Sequence, residues 1–231
     1  HTRIKKSLCK FSKAKTEDNM SINHIFDNNK EWINKKLSID KDYFKKLAQD
    51  QTPEILYIGC SDSRVSAGDL MEVEPGTVFV HRNIANLVPN TDMNSKSVID
   101  YAVTHLDIKH IVVCGHYKCG GIKAAMEKEN LGVLNPWLGN IRDVYRLHFD
   151  ELEALTDLEQ RYDRLVELNV AEQCINVLKI PTVQEAIIKK KLQMHGWVFD
   201  IKTGQLIDLT LDIMNEFSNS HSKVSSIYRI K

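Results

Sequence analysis

The chain has 231 residues, 42% hydrophobic and 27% charged, enough to bury a substantial core in what reads as one globular domain. Lysine plus arginine and aspartate plus glutamate each number 31, so no net field draws in a nucleic acid or an acidic membrane surface. No apolar run approaches the roughly 20 residues of a membrane helix and the N-terminus lacks a secretory apolar core, so a soluble, cytoplasmic protein is expected.

Residues 1–20 open with "HTRIKKSLCKFSKAK", which holds six lysines or arginines and no acid. They read as a basic arm, as expression-derived sequence ahead of Met20, or as the remnant of a transit peptide, which would place the protein in a mitochondrion or plastid instead. From Ser21 to about Gln49, Ile22, Ile25, Phe26, Trp32, Ile33, Leu37, Phe44 and Leu47 recur at spacings near three and four. This predicts two amphipathic helices broken near "LSID", with Asp40 capping the second. Their apolar stripe has to pack on the main domain or on a partner chain.

Short runs rich in Val, Ile and aromatics follow: "EILYIGC" from Glu54, "TVFVHR" from Thr77 and "HIVVCG" from His110. Continuous apolarity predicts strands covered on both faces, as in a parallel sheet. Helical patterns separate them, at "SVIDYAVTHL" from Ser97 and "IKAAMEKE" from Ile122. A long helix is predicted over "DLEQRYDRLVELNVAEQCINVLK", and another starts at Pro181, a residue suited to a first helical position. "QMHGWVFDI" and "GQLIDLTL", joined through "KTG", predict two final strands. The alternation gives an α/β fold with a mostly parallel central sheet flanked by helices. Residues 21–215 form the expected domain, and 216–231 a polar tail.

Five cysteines, Cys9, Cys60, Cys114, Cys119 and Cys174, make no paired disulfide framework and are expected reduced. Cys60 and the segment "CGHYKCGG" fall at the carboxyl ends of predicted strands, the edge where open α/β sheets assemble their sites. His116 and Cys119 are three apart, and a helix starting near Tyr117 would set both on one face of its first turn. With Cys60 they offer two thiolates and one imidazole, a set that suits zinc and leaves one of four positions open. Gly120 and Gly121 allow close backbone approach. A second chemistry uses Cys60 as a nucleophile activated by Arg64 and His116. It leaves Cys119 without a task unless the two thiols form a disulfide or share a metal. In "YIGCSDSRVS", Asp62 and Arg64 also fit an ordinary solvated turn.

The pattern C-x-D-x-R followed some 50 residues later by H-x-x-C-G-G resembles the signature of the β-class carbonic anhydrases. The likeness continues through "FVHRNIANLV", "YAVTHL", "VELNVAEQ" and "HGW". The resemblance implies one zinc ion per chain on Cys60, His116 and Cys119, with water or hydroxide as fourth ligand and attack of hydroxide on carbon dioxide to give bicarbonate. It makes Asp62 and Arg64 a dyad, the carboxylate accepting a hydrogen bond from the hydroxide and the guanidinium holding the carboxylate. If Arg64 lets go, Asp62 can take the fourth position itself. Substrate would meet Gln51, Gly120 and an apolar wall of Phe79, Ile84 and Tyr101. Part of that wall belongs to a neighbouring chain, so a homodimer or a dimer of dimers is implied, with the N-terminal helices clasping the partner.

Some relatives hold bicarbonate in a second pocket, and the matching positions here are Tyr57, Arg82 and Phe199, of which only the arginine keeps the relatives' residue type. Weak or absent bicarbonate inhibition follows, and the plainer role for Arg82 is to brace the strand end. His81, His105, His110 and His195 read as structural histidines, Cys114 and Cys174 as core, and Trp32, Trp137 and Trp197 as packing residues. Two rivals remain from sequence: a carbon disulfide or carbonyl sulfide hydrolase on the same fold, and a non-catalytic zinc module with four protein ligands.

Overall fold

The computed structural model describes residues 21–213. The expected basic arm over 1–20 and the polar tail over 216–231 lie outside the described residues. Helices α1 (Asn23–Ile39) and α2 (Tyr43–Leu47) belong to one compact unit ending at Gln49, and a second unit begins at Asp50. The two helices have no buried residue, and Trp32 meets Phe44 edge-on at 5.2 Å between ring centroids. Asp40 does not cap α2 as expected. It ends α1, its carboxylate accepts the Asp42 N–H at 2.9 Å, and Asp42 takes the cap position.

The second unit runs β1 (Ile55–Cys60), α3 (Ala67–Met71), β2 (Val78–Asn83), a 3-10 turn at Ile84–Asn86, α4 (Met93–Thr104) and β3 (His110–His116). It continues with α5 (Gly120–Met126), α6 (Leu134–Leu147), α7 (Phe149–Ala154), α8 (Leu158–Leu178), α9 (Pro181–Ile188), β4 (Gln193–Asp200) and β5 (Gln205–Asp208). The sheet order is β2-β1-β3-β4-β5, parallel except for the closing β4–β5 hairpin. This is the mostly parallel α/β sheet expected.

Coverage on both faces holds for β1 and β3, each buried along all but its first residue. It fails for β2, which lies at the sheet edge and leaves Val80 and Arg82 exposed. The main core lies on one face, between the sheet and α4, α5, α6, α8 and α9. A smaller cluster of Tyr57, Ala67, Val112 and Cys114 occupies the other.

Helix α8 sits close against β3 and β4 because the strands offer glycine there. A Cβ on Gly115 would fall 2.6 Å from Val170, and one on Gly196 would fall 3.2 Å from Cys174 and 3.3 Å from Val170. Asp157 caps α8 with its carboxylate on the Glu159 and Gln160 N–H groups, and Pro181 opens α9. Helix α4 starts earlier than the periodicity predicts, because Asp92 caps it through the Asn94 and Ser95 N–H groups. Among the described residues, no helix is long and apolar enough to cross a membrane.

Candidate metal centre

The parallel register brings the carboxyl ends of β1 and β3 together. Cys60 closes β1 opposite Asn83, and His116 closes β3 opposite Phe199. Cys119 follows three residues later, at the N-cap of α5. The helix begins at Gly120 and not near Tyr117, so His116 and Cys119 do not meet as neighbours on a helical turn. A tight turn brings them round instead, with Lys118 in the left-handed region at φ 61°.

The sulfurs of Cys60 and Cys119 and a ring nitrogen of His116 all lie within 4.8 Å of one another. Among the described residues this is the one group of three or more such side chains that could hold a metal ion. All three residues are buried, His116 completely. Its Nδ1–H donates to the Tyr117 carbonyl at 2.9 Å, which leaves Nε2 as the lone-pair nitrogen. Nε2 is buried and has no hydrogen-bond partner. A buried acceptor left orphaned is costly, and a metal ion among the three atoms removes that cost. Two thiolates on one tetrahedral zinc stand about 3.8 Å apart, given Zn–S distances of about 2.3 Å. Here the sulfurs are 3.9 Å apart. Donor types, spacing and the orphaned nitrogen therefore all fit zinc.

Electrostatics point the same way. The hydrogen bond from the Cys119 thiol is the largest influence holding the Cys60 thiol well below its usual range, with His116 and the N–H groups of Ala85 and Asp62 helping against burial. Cys119 is pushed up, first by its bond to Cys60 and then by burial. The pair is thus biased toward a thiolate at Cys60, and a divalent ion bound there would draw off the remaining proton. The four described cysteines, Cys60, Cys114, Cys119 and Cys174, are all free thiols, as expected.

Asp62 and Arg64 flank this centre. Arg64 Nε reaches Asp62 Oδ1 at 2.9 Å and Nη2 reaches Oδ2 at 2.7 Å, a bidentate fork, and the Arg64 N–H adds a third bond to Oδ1 at 3.0 Å. Arg64 is the main cause holding the Asp62 carboxyl far below the usual carboxylate range. Asp62 Oδ2 lies 3.7 Å from His116 Nε2, beside the point that the three ligand atoms share.

The other expected site residues are distributed unevenly. Ile84 overlies Gly121, where a Cβ would fall 2.7 Å from its Cγ2, whereas Gly120 is open, with nothing within 4 Å of such an atom. Phe79 and Tyr101 pair with each other at 5.9 Å between centroids. Phe79 lies four residues up β2 from Asn83, or about 13 Å of strand from the ligand edge. Gln51 is exposed, and its N–H bonds the Asp50 carboxylate. Tyr57 is fully buried with a hydroxyl that finds no partner, and Phe199 packs in the same small cluster. Arg82 points at the backbone of the ligand loop, with Nε 2.7 Å from the Cys60 carbonyl oxygen and Nη2 2.6 Å from that of Asp62.

Several supporting residues carried no assignment from sequence. The Tyr162 hydroxyl donates to the Cys119 carbonyl at 2.5 Å, and Trp137 Nε1 donates to the Ile84 carbonyl at 2.9 Å. The latter gives Trp137 more than the packing role expected of it. Ala85 and Asn86 both adopt positive φ, 63° and 48°. Asn169 donates to the Ala85 carbonyl at 3.0 Å, Gln173 accepts the Val88 N–H at 2.8 Å, and Asn83 bonds both polar backbone groups of Leu87. These amides hold a strained segment next to Cys60. Asn169 and Gln173, four apart on an otherwise apolar face of α8, were a legible hint of buried amide work.

Two buried thiols and a buried imidazole at the carboxyl edge of a mostly parallel sheet define a protein of the α/β class with a candidate zinc site. The family model described as carbonic anhydrase matches residues 55–206. The chain is 53% identical over 207 residues to a carbonic anhydrase of Emericella nidulans, with 89% of each chain covered. Among solved structures it resembles a tetrameric β-carbonic anhydrase of Sordaria macrospora at TM-score 0.78 and 44% identity, covering 81% of this chain and 95% of that one. It also resembles the Coccomyxa β-carbonic anhydrase in complex with acetazolamide, at TM-score 0.78 and 38% identity over 87% of this chain and 99% of that one. The chain belongs to the β-class carbonic anhydrase family.

Proposed function

We propose that this protein hydrates carbon dioxide reversibly to bicarbonate and a proton, with one zinc ion held by Cys60, His116 and Cys119. The observation that carries the reading is the buried, unpartnered Nε2 of His116 facing two buried thiols, with an ionised carboxylate 3.7 Å away. Zinc bound there supplies a Lewis acid that makes water nucleophilic near neutral pH. The chain does the remaining work. Asp62, held anionic by Arg64, can only accept hydrogen bonds. An attacking water beside it is turned with its proton toward the carboxylate and a lone pair toward substrate. The Arg64 fork keeps that carboxylate from swinging onto the metal. Ile84, fixed through its carbonyl by Trp137, offers an apolar surface over Gly121 that suits an uncharged, linear substrate.

Phe79 and Tyr101 support an oligomeric active unit. Half-buried Phe79 pairs with exposed Tyr101, and Phe79 lies about 13 Å of strand from its own chain's ligands, a placement that suits walling a partner's centre. Helix α1 has no buried residue, and Ile25 and Phe26 are exposed on it, as a helix awaiting a second copy would be. A homodimer or a dimer of dimers meets both observations.

Two variants test the assignment of roles. Cys60→Ser should lose zinc and activity together, because a hydroxyl poorly replaces a thiolate at this ion. Arg64→Ala should keep about one zinc per chain yet lose roughly 100-fold or more in turnover, the scale set by misplaced proton-handling groups. Full zinc content in Cys60→Ser refutes the ligand set, and wild-type turnover in Arg64→Ala removes the dyad from the mechanism.

A further inference from the structure

The main chain changes direction immediately after the first metal ligand. Cys60 makes the last pair of the β1–β2 ladder, and the Ser61 N–H adds one more bond to the Asn83 carbonyl at 2.8 Å. Past that point β1 leaves the sheet, so the carbonyls of Cys60 and Asp62 have no strand partner to meet, although that of Asp62 also accepts the Val65 N–H of the loop at 3.0 Å. Both point to one guanidinium. Arg82 Nε bonds the Cys60 carbonyl at 2.7 Å and Nη2 bonds the Asp62 carbonyl at 2.6 Å. A planar fork engaging carbonyls two residues apart fixes their separation and mutual orientation, which a single ammonium could not do.

What lies between those carbonyls is the working part of the loop. The Cys60 sulfur stands at one end, and the Asp62 carboxylate, 3.7 Å from His116 Nε2, at the other. We infer that Arg82 is a positioning residue for the metal centre: by clamping the Cys60 and Asp62 carbonyls it sets the angle at which thiolate and carboxylate face the metal. The inference deepens the proposed function and rests on the zinc reading of the three ligands. It also gives the two arginines of the loop separate tasks, Arg64 on the Asp62 side chain and Arg82 on the main chain. With Nε and Nη2 turned inward to carbonyls, Arg82 does not act as the cation of a second bicarbonate pocket. The neighbouring Tyr57 hydroxyl and Phe199 ring supply no clamp of their own.

The test compares wild type, Arg82→Ala and Arg82→Lys, each loaded with zinc and, separately, with cobalt(II). The measurements are zinc transfer to a chromogenic chelator, the cobalt absorption spectrum, the melting temperature of the metal-free proteins, and kcat and KM for hydration. Arg82→Ala is expected to bind zinc about 10- to 100-fold more weakly, the usual loss when a support behind the ligands is removed. Its cobalt bands should shift, kcat should fall with KM little changed, and the metal-free melting temperature should stay near that of wild type. Arg82→Lys keeps the charge but not the fork and should behave like Arg82→Ala. If Arg82→Ala does not fold, Arg82→Lys carries the same comparison. Unchanged metal release and cobalt bands in the variants would overturn the role, as would a metal loss that merely tracks a fall in metal-free melting temperature. Cooperative bicarbonate inhibition of wild type that Arg82→Ala abolishes would also overturn it, by making Arg82 an anion ligand. A wild-type protein that takes up neither ion refutes the metal reading and the inference with it; wild-type uptake with unaltered variants refutes only Arg82.

Discussion

His195 shows what a structural histidine outside the metal centre does to stability. His81, His105, His110 and His195 were expected to be structural residues. His105 stacks on Tyr101 and His81 bonds Asn83, but His110 Nδ1 and His195 Nε2 approach to 3.1 Å across β3 and β4. Burial first, and then His110, holds the His195 pKa below its ordinary 6.5, with Asp208 pulling the other way. An imidazole whose folded pKa is depressed binds its proton more readily in the unfolded chain. Its protonation therefore costs stability as pH falls from about 6.5 through the lower folded value, and costs nothing above that window. Denaturant unfolding at stepped pH should show wild type losing more stability than His195→Gln below pH 6.5 and no such difference at pH 8. Parallel pH profiles would contradict the assignment. At this same scale the candidate metal centre was largely legible, because Cys60, Asp62 and Arg64 fall in one short motif and His116 and Cys119 in another. Arg82 was read as a brace for the strand end without the carbonyls it holds, and Asn169 and Tyr162 were not read at all, because each works on a distant backbone carbonyl, and an acceptor present at every residue leaves no mark in sequence.

The elements read best where burial was two-sided. Continuous apolar runs identified β1 and β3, and the same signal overstated β2, where an edge position leaves alternate residues in water. Helices α6 and α7 went unassigned. In α6 the punctuation of Gly132, Pro136 and Gly139 masked a stripe of Leu138, Ile141 and Val144 that the structure buries; Pro136 is tolerated there because it falls in the first turn. Glycine does opposite work in two elements. In β4 the space over Gly196 is filled by Cys174, Val170 and Ile213, so Gly196→Ala should cost about 1–3 kcal/mol, as overpacking does. Pairing it with Ile213→Val should recover part of that loss, since the nearest atom is the Ile213 methyl at 2.3 Å. In α6 nothing stands within 4 Å of a Cβ on Gly139, and Gly139→Ala should gain about 0.5–1 kcal/mol. Thermal unfolding of the three variants decides the point, and equal effects at the two glycines would show that α8 does not press on the sheet as closely as described.

At the scale of the whole molecule, the parallel sheet serves to bring two strand ends and one turn to a single edge, and the close fit of α8 allows its amides to reach the strained Ala85–Asn86 segment beside Cys60. The fold class and ligand edge followed from sequence through strand alternation and motif placement. The placement of Phe79 four residues up β2 from the ligand edge did not, because it is set by register. The central claim is that this edge holds one zinc ion and that the ion drives hydration of carbon dioxide. Its most direct test is a titration: strip the purified protein of metal, restore zinc stepwise, and follow carbon dioxide hydration by stopped flow alongside bound metal. The account predicts negligible activity in the stripped protein and a linear rise that breaks at about one zinc per chain. Full activity without zinc, or one tightly bound zinc per chain with no hydration, would contradict it.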